Sequence, residues 1–573
     1  MTSRSKALLA VGVVVFVLAL GVLVIVLGAR YATSHVPGNS ILAIDVSGPI
    51  PELSPDTPFG TFFGRAPVSR QDLRDALVKA AGDPRVRAVR VKVGDFTAGL
   101  ATVEEIRGLL AKVAEARKPT YAYLETAGEF SPGNAQYLLA SACTQVVLNP
   151  LGDVNLVGLA ARTPFIRGTL DKLEIKPDFP GIGDYKTARF LYTEKGLTAA
   201  DKDMLGWLLG SLSGQLVDGI AAGRGIPRNQ AERAVLGGPY LGPDALKGKL
   251  VDRLEDWETF AKRCATENGE NLDEVSLRRY LRAGRPDRSG TEVAVVVADG
   301  MIVRGESGYS PVPLFGGDIM GSETIAQAFR DVRRSGARAV IFRINSPGGS
   351  AVASEIIRAE MVKTGEKIPV VVSMGDVAAS GGYWITCGAK QVIADPGSIT
   401  ASIGVFAGHF AMERFWDDKL GVTWGKLDAA PNAAIFGTLD PWTPEQEAIV
   451  QTFLDRIYSA FLDRVSTSRH MTREQVDAIG RGRVFTGVQA KEKGLVDTLG
   501  GFDDAVVEAK KLAGLSPDAS VNLVFYPQRR SLWERLMDRA GDAQAGTWTV
   551  ARAFLAGRVV APGPVWLPPI QVR

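Results

Sequence analysis

Ile368-Pro-Val-Val-Val372, followed by Met374-Gly-Asp-Val-Ala-Ala-Ser380-Gly-Gly-Tyr-Trp384, reads as a buried strand, a small-residue turn and the start of a helix. A short apolar run bounded by turn residues suits a strand covered on both faces, the condition found in parallel sheets. The turn presents one hydroxyl, that of Ser380, with two glycines directly behind it. Glycine lets a backbone approach a substrate closely, and free N–H groups at a helix start can hold the negative charge of a tetrahedral intermediate. Ser380 is thus a candidate nucleophile and Gly381 a candidate oxyanion donor; the plain alternative is a flexible turn with a helix cap.

The flanking sequence repeats the same grammar. Ile41 to Ile50, Val86 to Val93 and Pro119 to Leu124 read as strands, and Glu104 to Ala116 carries helical apolar spacing at Ile106, Leu109, Leu110 and Val113. Strands alternating with helices at such intervals predict an α/β fold rather than a β-sandwich. Arg87-Ala-Val89 matches Arg338-Ala-Val340, and Glu104, Ile106 and Arg107 match Glu355, Ile357 and Arg358 at the same spacing. Gln145-Val-Val-Leu-Asn-Pro150 matches Gln391-Val-Ile-Ala-Asp-Pro396, with Tyr137 on Tyr383 and Gly158 on Gly404. Gly128-Glu-Phe-Ser-Pro-Gly133 accommodates the extra residues that the first copy needs for this second spacing. The pattern is a duplicated domain, far longer than solenoid repeats of about 20–50 residues. The expected boundaries are an anchor over 1–30, a first repeat over 38–283, a second over 291–525 and a tail over 526–573. The linker between repeats is the basic Pro/Gly stretch Arg282 to Gly290.

Ala7 to Ala29 is an uncharged, almost wholly apolar run, long enough at about 1.5 Å per residue to cross a hydrocarbon core of roughly 30 Å. It predicts an N-terminal transmembrane helix that is retained as an anchor, being longer than the apolar region of a cleaved signal. Arg4 and Lys6 precede it and Arg30 alone follows closely, which orients the body away from the cytoplasm. In the tail, Leu532, Trp533, Leu536 and Met537 with Arg535 and Arg539 predict an amphipathic helix, and Pro562 to Pro569 a proline-rich end. With 66 basic and 63 acidic residues the net charge is +3, which provides no broad field for nucleic acid. Cys143, Cys264 and Cys387 have no zinc-type spacing and form no disulfide framework. Neither a metal nor a cofactor is expected; Gly181-Ile-Gly183 lacks the third glycine of a nucleotide loop.

Asn345-Ser-Pro-Gly-Gly-Ser350 ends another strand in a glycine turn, where Gly348 and Gly349 can supply a second oxyanion N–H. The first copy has Asn134 opposite Ser380 and so lacks the hydroxyl. A serine nucleophile needs a base. His409 is the histidine nearest to it in sequence, and lysine serves if burial or neighbouring positive charge lowers its usual value of about 10.4. Lys186, in Gly181-Ile-Gly-Asp-Tyr-Lys-Thr-Ala188, stands out for its small and aromatic neighbours, but spacing does not select it.

Taken together, Gly375-Asp-Val-Ala-Ala-Ser-Gly-Gly-Tyr-Trp384, Asn345-Ser-Pro-Gly-Gly-Ser350, Thr400-Ala-Ser-Ile-Gly404 and Asp184-Tyr-Lys-Thr-Ala188 resemble the signal peptide peptidase A (protease IV) family in its long, tandem-duplicated form. The likeness runs from the anchor to about residue 525. It implies a crotonase/Clp protease-like α/β fold and a Ser/Lys serine endopeptidase. Ser380 of the second repeat would be the nucleophile, Lys186 of the first the general base, Ser402 the residue orienting the lysine and Gly381 the oxyanion donor. Thr187 and Asp184 depart from the commonest pattern. No lysine stands near Pro431-Asn432 in the second repeat and Asn134 stands in place of serine in the first, so each repeat alone would be inert. The resemblance further implies peptide substrates, remnant signal peptides among them, a homotetramer, and a single-pass protein of the bacterial inner membrane with its body on the periplasmic side. Two other readings use the same turns: a crotonase-like acyl-CoA enzyme and a catalytically inactive membrane scaffold.

Overall fold

A computed structural model describes Gly21 and residues 36–54, 67–266, 271–284, 289–310 and 317–527. Gly21 apart, the anchor expected over Ala7 to Ala29 lies outside the described residues, as does the tail beyond 527. No helix among the described residues is long and apolar enough to cross a membrane. Two compact units form. One takes the described residues up to Ala98, then Ile106–Val157 and those from Asp218 as far as Asp287; the other takes Gly99–Glu105, Gly158–Val217 and those from Arg288 onward.

The first unit is built on a six-stranded parallel sheet in the order Asp273–Ser276, Ser40–Pro49, Val86–Thr97, Thr120–Leu124, Gln145–Leu148, Arg253–Leu254. Ile41, Ala88, Tyr121, Tyr123, Val147, Phe260 and Cys264 pack into one buried cluster on it. The second unit has an eight-stranded sheet whose main path runs Val484–Thr486, Ile399–Ala401, Val370–Ala379, Ala339–Ser346, Thr291–Asp299, Val521–Tyr526. Its strands are parallel except Val484–Thr486, which runs against Ile399–Ala401. Val293 to Val297 is buried on both faces, as its unbroken apolar sequence predicts. Phe329 meets Phe342 edge-on at 4.9 Å, and burying side chains of this size contributes about 1.5–3 kcal/mol each.

The duplication is visible in matching hydrogen bonds within each unit. Tyr137 Oη donates to the Leu250 carbonyl at 2.8 Å, and Tyr383 Oη to the Leu495 carbonyl at 2.8 Å. Asp252 accepts from the Val146 N–H and pairs with Arg224; Asp497 does the same with Val392 and Arg469. The two chain segments therefore fold by one plan, and the mixed α/β class with parallel sheets follows the sequence pattern.

The strand that begins in the opening apolar run is longer than that run. It spans Val370–Ala379 because it changes neighbours: Val371 to Met374 pair with Gln391 to Ala394, whereas Val377 to Ala379 pair with Ile399 to Ala401. Alanine at 378 and 379, both buried, permits that second pairing at close quarters. Under this sheet Arg343, wholly buried, makes a bidentate pair with Glu105 at 2.9 and 3.2 Å and donates to Ser373 Oγ and the Met374 carbonyl. Full hydrogen bonding is what makes a buried charge tolerable at this place.

Candidate active site

The strand Val370–Ala379 delivers Ser380 to the start of the four-residue helix Gly381–Trp384. Ser380 adopts φ 53° and ψ −116°, a backbone region that L-residues rarely enter and that costs about 1–3 kcal/mol. It is held there by its N–H on the Ala401 carbonyl at 2.7 Å and by its own carbonyl, which accepts from the Tyr383 and Trp384 N–H groups. The residue is 3% exposed. Both Ser380→Gly and Ser380→Ala remove the hydroxyl, but only glycine relieves the backbone. Ser380→Gly should therefore melt above Ser380→Ala by the equivalent of about 1 kcal/mol; the reverse order in thermal melts would mean the elbow is unstrained.

Lys186, on the loop after the short strand Gly181–Ile182, belongs to the same unit as Ser380. Its Nζ lies 3.1 Å from Ser380 Oγ, 2.9 Å from Ser402 Oγ and 3.0 Å from the Ser402 carbonyl oxygen. These contacts form within one chain. Lys186 is 2% exposed, and burial lowers its amine from the usual 10.5 to about 7. Ser402 is itself fully buried at φ 56°, with its N–H on the Arg483 carbonyl. Asp184, two residues before the lysine, turns to solvent and pairs with Arg481 at 2.9 Å, so it does not hold the amine charged.

The glycine turn after Asn345 packs against the serine elbow. A Cβ built on Gly348 would lie 2.7 Å from the Gly381 nitrogen, and one on Gly381 would lie 2.6 Å from Ser354 Oγ and 3.1 Å from the Gly349 nitrogen. Only glycine permits that approach. The Gly348 N–H is occupied, donating to Ser346 Oγ at 3.2 Å. The N–H groups of Gly349 and Gly381 make no hydrogen bond among the described residues. Of the two candidates at this turn, Gly349 is thus the donor left open. Sequence reasoning does not single out Ser346; a serine two residues before a glycine N–H is its only local sign.

His409 is not brought to Ser380. Its ring lies against Trp442 at 4.2 Å, with Nε2 3.5 Å from Asp178 Oδ2. In the other unit Asn134, opposite Ser380 in the repeat, accepts the Val157 N–H on its side-chain oxygen at 3.1 Å. That position is structural and carries no hydroxyl.

Comparison with known proteins follows the same two segments. The model of Peptidase family S49 matches residues 112–271 and 363–516. "Protease 4" of Salmonella typhi is 32% identical over 507 residues, covering 86% of this chain and 79% of that protein. "Serine protease SPPA, chloroplastic" of Arabidopsis thaliana is 30% identical over 512 residues, covering 87% and 73%. Among solved structures, a point mutant of ClpP1 from Listeria monocytogenes matches 37% of this chain and 94% of its own at 15% identity, with a TM-score of 0.25. At that score the fold is read from the sheets themselves.

Proposed function

The chain belongs to peptidase family S49 and is a serine peptidase, and from that premise we propose that Ser380 and Lys186 are its nucleophile and general base. The single observation carrying this reading is the 3.1 Å approach of a buried amine, lowered to about 7, to a strained serine hydroxyl. A neutral amine has two N–H groups and one lone pair. The Ser402 carbonyl must accept one N–H and Ser402 Oγ takes the other, which leaves the lone pair for the Ser380 hydroxyl proton.

In the proposed reaction Ser380 Oγ attacks the scissile carbonyl carbon as its proton passes to Lys186 Nζ. The carbonyl oxygen, now negative, is received by the N–H groups of Gly381 and Gly349; losing one such donor typically costs about 10²–10³ in rate. Collapse breaks the C–N bond, Lys186 returns the proton to the leaving amine, and Ser380 is left as an ester. Lys186 then takes a proton from the attacking water; as the C–Oγ bond breaks and the acid leaves, Lys186 returns that proton to Ser380 Oγ, restoring the hydroxyl and the neutral amine. The cycle balances with the chain's own groups and one water.

The apolar run Ala7 to Ala29 supports a single-pass inner-membrane protein with its body on the periplasmic side. Membrane-derived peptides, spent signal peptides first among them, are then the substrates closest at hand, and a homotetramer is the proposed assembly. With the full-length protein in lipid vesicles, a synthetic signal peptide should be cut within its apolar core, and Ser380→Ala should leave it intact. Cleavage of a polar peptide of the same length, with the signal peptide untouched, would overturn the substrate assignment.

A further inference from the structure

Arg481-Gly-Arg483 forms a turn that touches the backbone on both sides of the lysine amine. On one side the Arg481 carbonyl accepts the Tyr185 N–H at 2.9 Å. On the other, the Arg483 carbonyl accepts the Ser402 N–H at 3.0 Å, and the Gly482 N–H donates to the Ile403 carbonyl at 2.6 Å. Gly482, at φ 88°, lies so close to the lysine that an added Cβ would stand 2.3 Å from the Lys186 nitrogen and 2.5 Å from its Cα. The side chain of Arg483 adds a second hold. Its guanidinium lies 3.7 Å from the centroid of the Tyr185 ring and 5.6 Å from that of Trp207, and it pairs with Asp203, which also accepts from Tyr185 Oη at 3.0 Å.

We propose that Gly482 and Arg483 are positioning residues, which set the Lys186 amine against Ser380 and Ser402 by clamping the backbones of Lys186 and Ser402 to one turn. This rests on the reading of Lys186 as the base. The turn fixes the separation of the two backbones from which the Nζ contacts are made. A glycine is required because the left-handed conformation and the contact with Lys186 coincide at one residue. Arg483 stacks on the residue before the lysine and so limits rotation of its loop. The amine owes its lowered affinity for protons to burial, and the nearby charges are spent on one another: Asp184 on Arg481, which also approaches Asp477, and Asp203 on Arg483. Arg189 donates to the Phe179 carbonyl, and Asp376 accepts from Gly99 and Thr102. Loosening the clamp admits water to the amine, so the proton binds more tightly and the base works only at higher pH.

The test compares Gly482→Ala, Arg483→Met and Lys186→Ala in the full chain, measuring peptide cleavage from pH 5 to pH 10 with melting temperature alongside. Gly482→Ala should lower kcat/KM at pH 7 by about 10²-fold, the scale of a small misplacement in an active site, and Arg483→Met by about 10-fold. In both the acid limb should move up by about one pH unit with KM nearly unchanged. Near pH 9 this restores most of the Arg483→Met loss and about fivefold of the Gly482→Ala loss, the rest of which is misplacement felt at every pH. A loss equal at every pH, with the limb unmoved, would mean mere destabilisation and overturn the proposal, as would wild-type activity in both variants. Should Gly482→Ala fail to fold, Arg483→Met decides by the same limb. Turnover retained in Lys186→Ala would instead overturn the base assignment, an outcome separate from failure of the clamp.

Discussion

Lys186→Met is expected to lose at least about 10³-fold in kcat/KM while becoming more stable than the parent at neutral pH. The loss follows from removing the group that takes the Ser380 proton, since general bases typically contribute about 10²–10⁴-fold. The gain follows from the burial that makes the lysine a base. Folding lowers the amine from 10.5 to about 7, so between those values the unfolded chain binds a proton that the folded chain does not. Stability supplied by this group therefore rises with pH across that window, and the penalty is complete below about pH 7. A depression of this size corresponds to at most about 5 kcal/mol, and the lost hydrogen bonds to Ser380 and Ser402 take back about 1 kcal/mol each. A net gain of about 2 kcal/mol below pH 7, vanishing at about pH 8.5 and reversing above it, should appear as a raised melting temperature at neutral and acid pH. Methionine is close to lysine in length and has no charge to bury, which makes it the right replacement. A variant less stable than the parent at pH 6 would contradict the burial account, whatever its activity.

The second large effect is on the pH profile. Only the neutral amine accepts the Ser380 proton, so kcat/KM should fall about tenfold per unit below a midpoint near 7, reaching about 100-fold at pH 5, with a plateau above pH 8. A histidine base would titrate in a similar range. His409→Gln should nevertheless leave the limb in place, because His409 faces Asp178 and Trp442 and not Ser380. A midpoint near 4–5 would point to a carboxylate, and one above 9 to a lysine in contact with water.

Much of the fold is legible in the sequence because parallel strands buried on both faces leave unbroken apolar runs, such as Val293 to Val297. The strand end and turn at Ser380 are legible for a related reason, small residues following an apolar run. The same letters also suit a plain turn with a helix cap, so its proposed role as nucleophile comes from the resemblance and the lysine beside it. Lys186 is different. It meets Ser380 across 194 positions of chain, a separation that no periodicity encodes, and only the resemblance selects it. The compact unit that residues 158–217 join is likewise a matter of packing, and comparing repeats measures likeness rather than contact. Gly348 and Gly349 are equivalent as letters, and the hydroxyl of Ser346 decides between their N–H groups. The turn at Gly482 carries a sequence signal, a glycine between two arginines, whose meaning depends on the backbone lying 2.3 Å from its missing Cβ.

The most direct test of the Ser380–Lys186 assignment is rapid quenching of the full-length protein with a peptide ester, followed by mass spectrometry of its proteolytic fragments. An acyl group on the fragment containing Ser380, formed in a burst at pH 8 and strongly slowed in Lys186→Met, is the predicted result. An acyl group on any other residue, or turnover by Ser380→Ala at the parental rate, would contradict it.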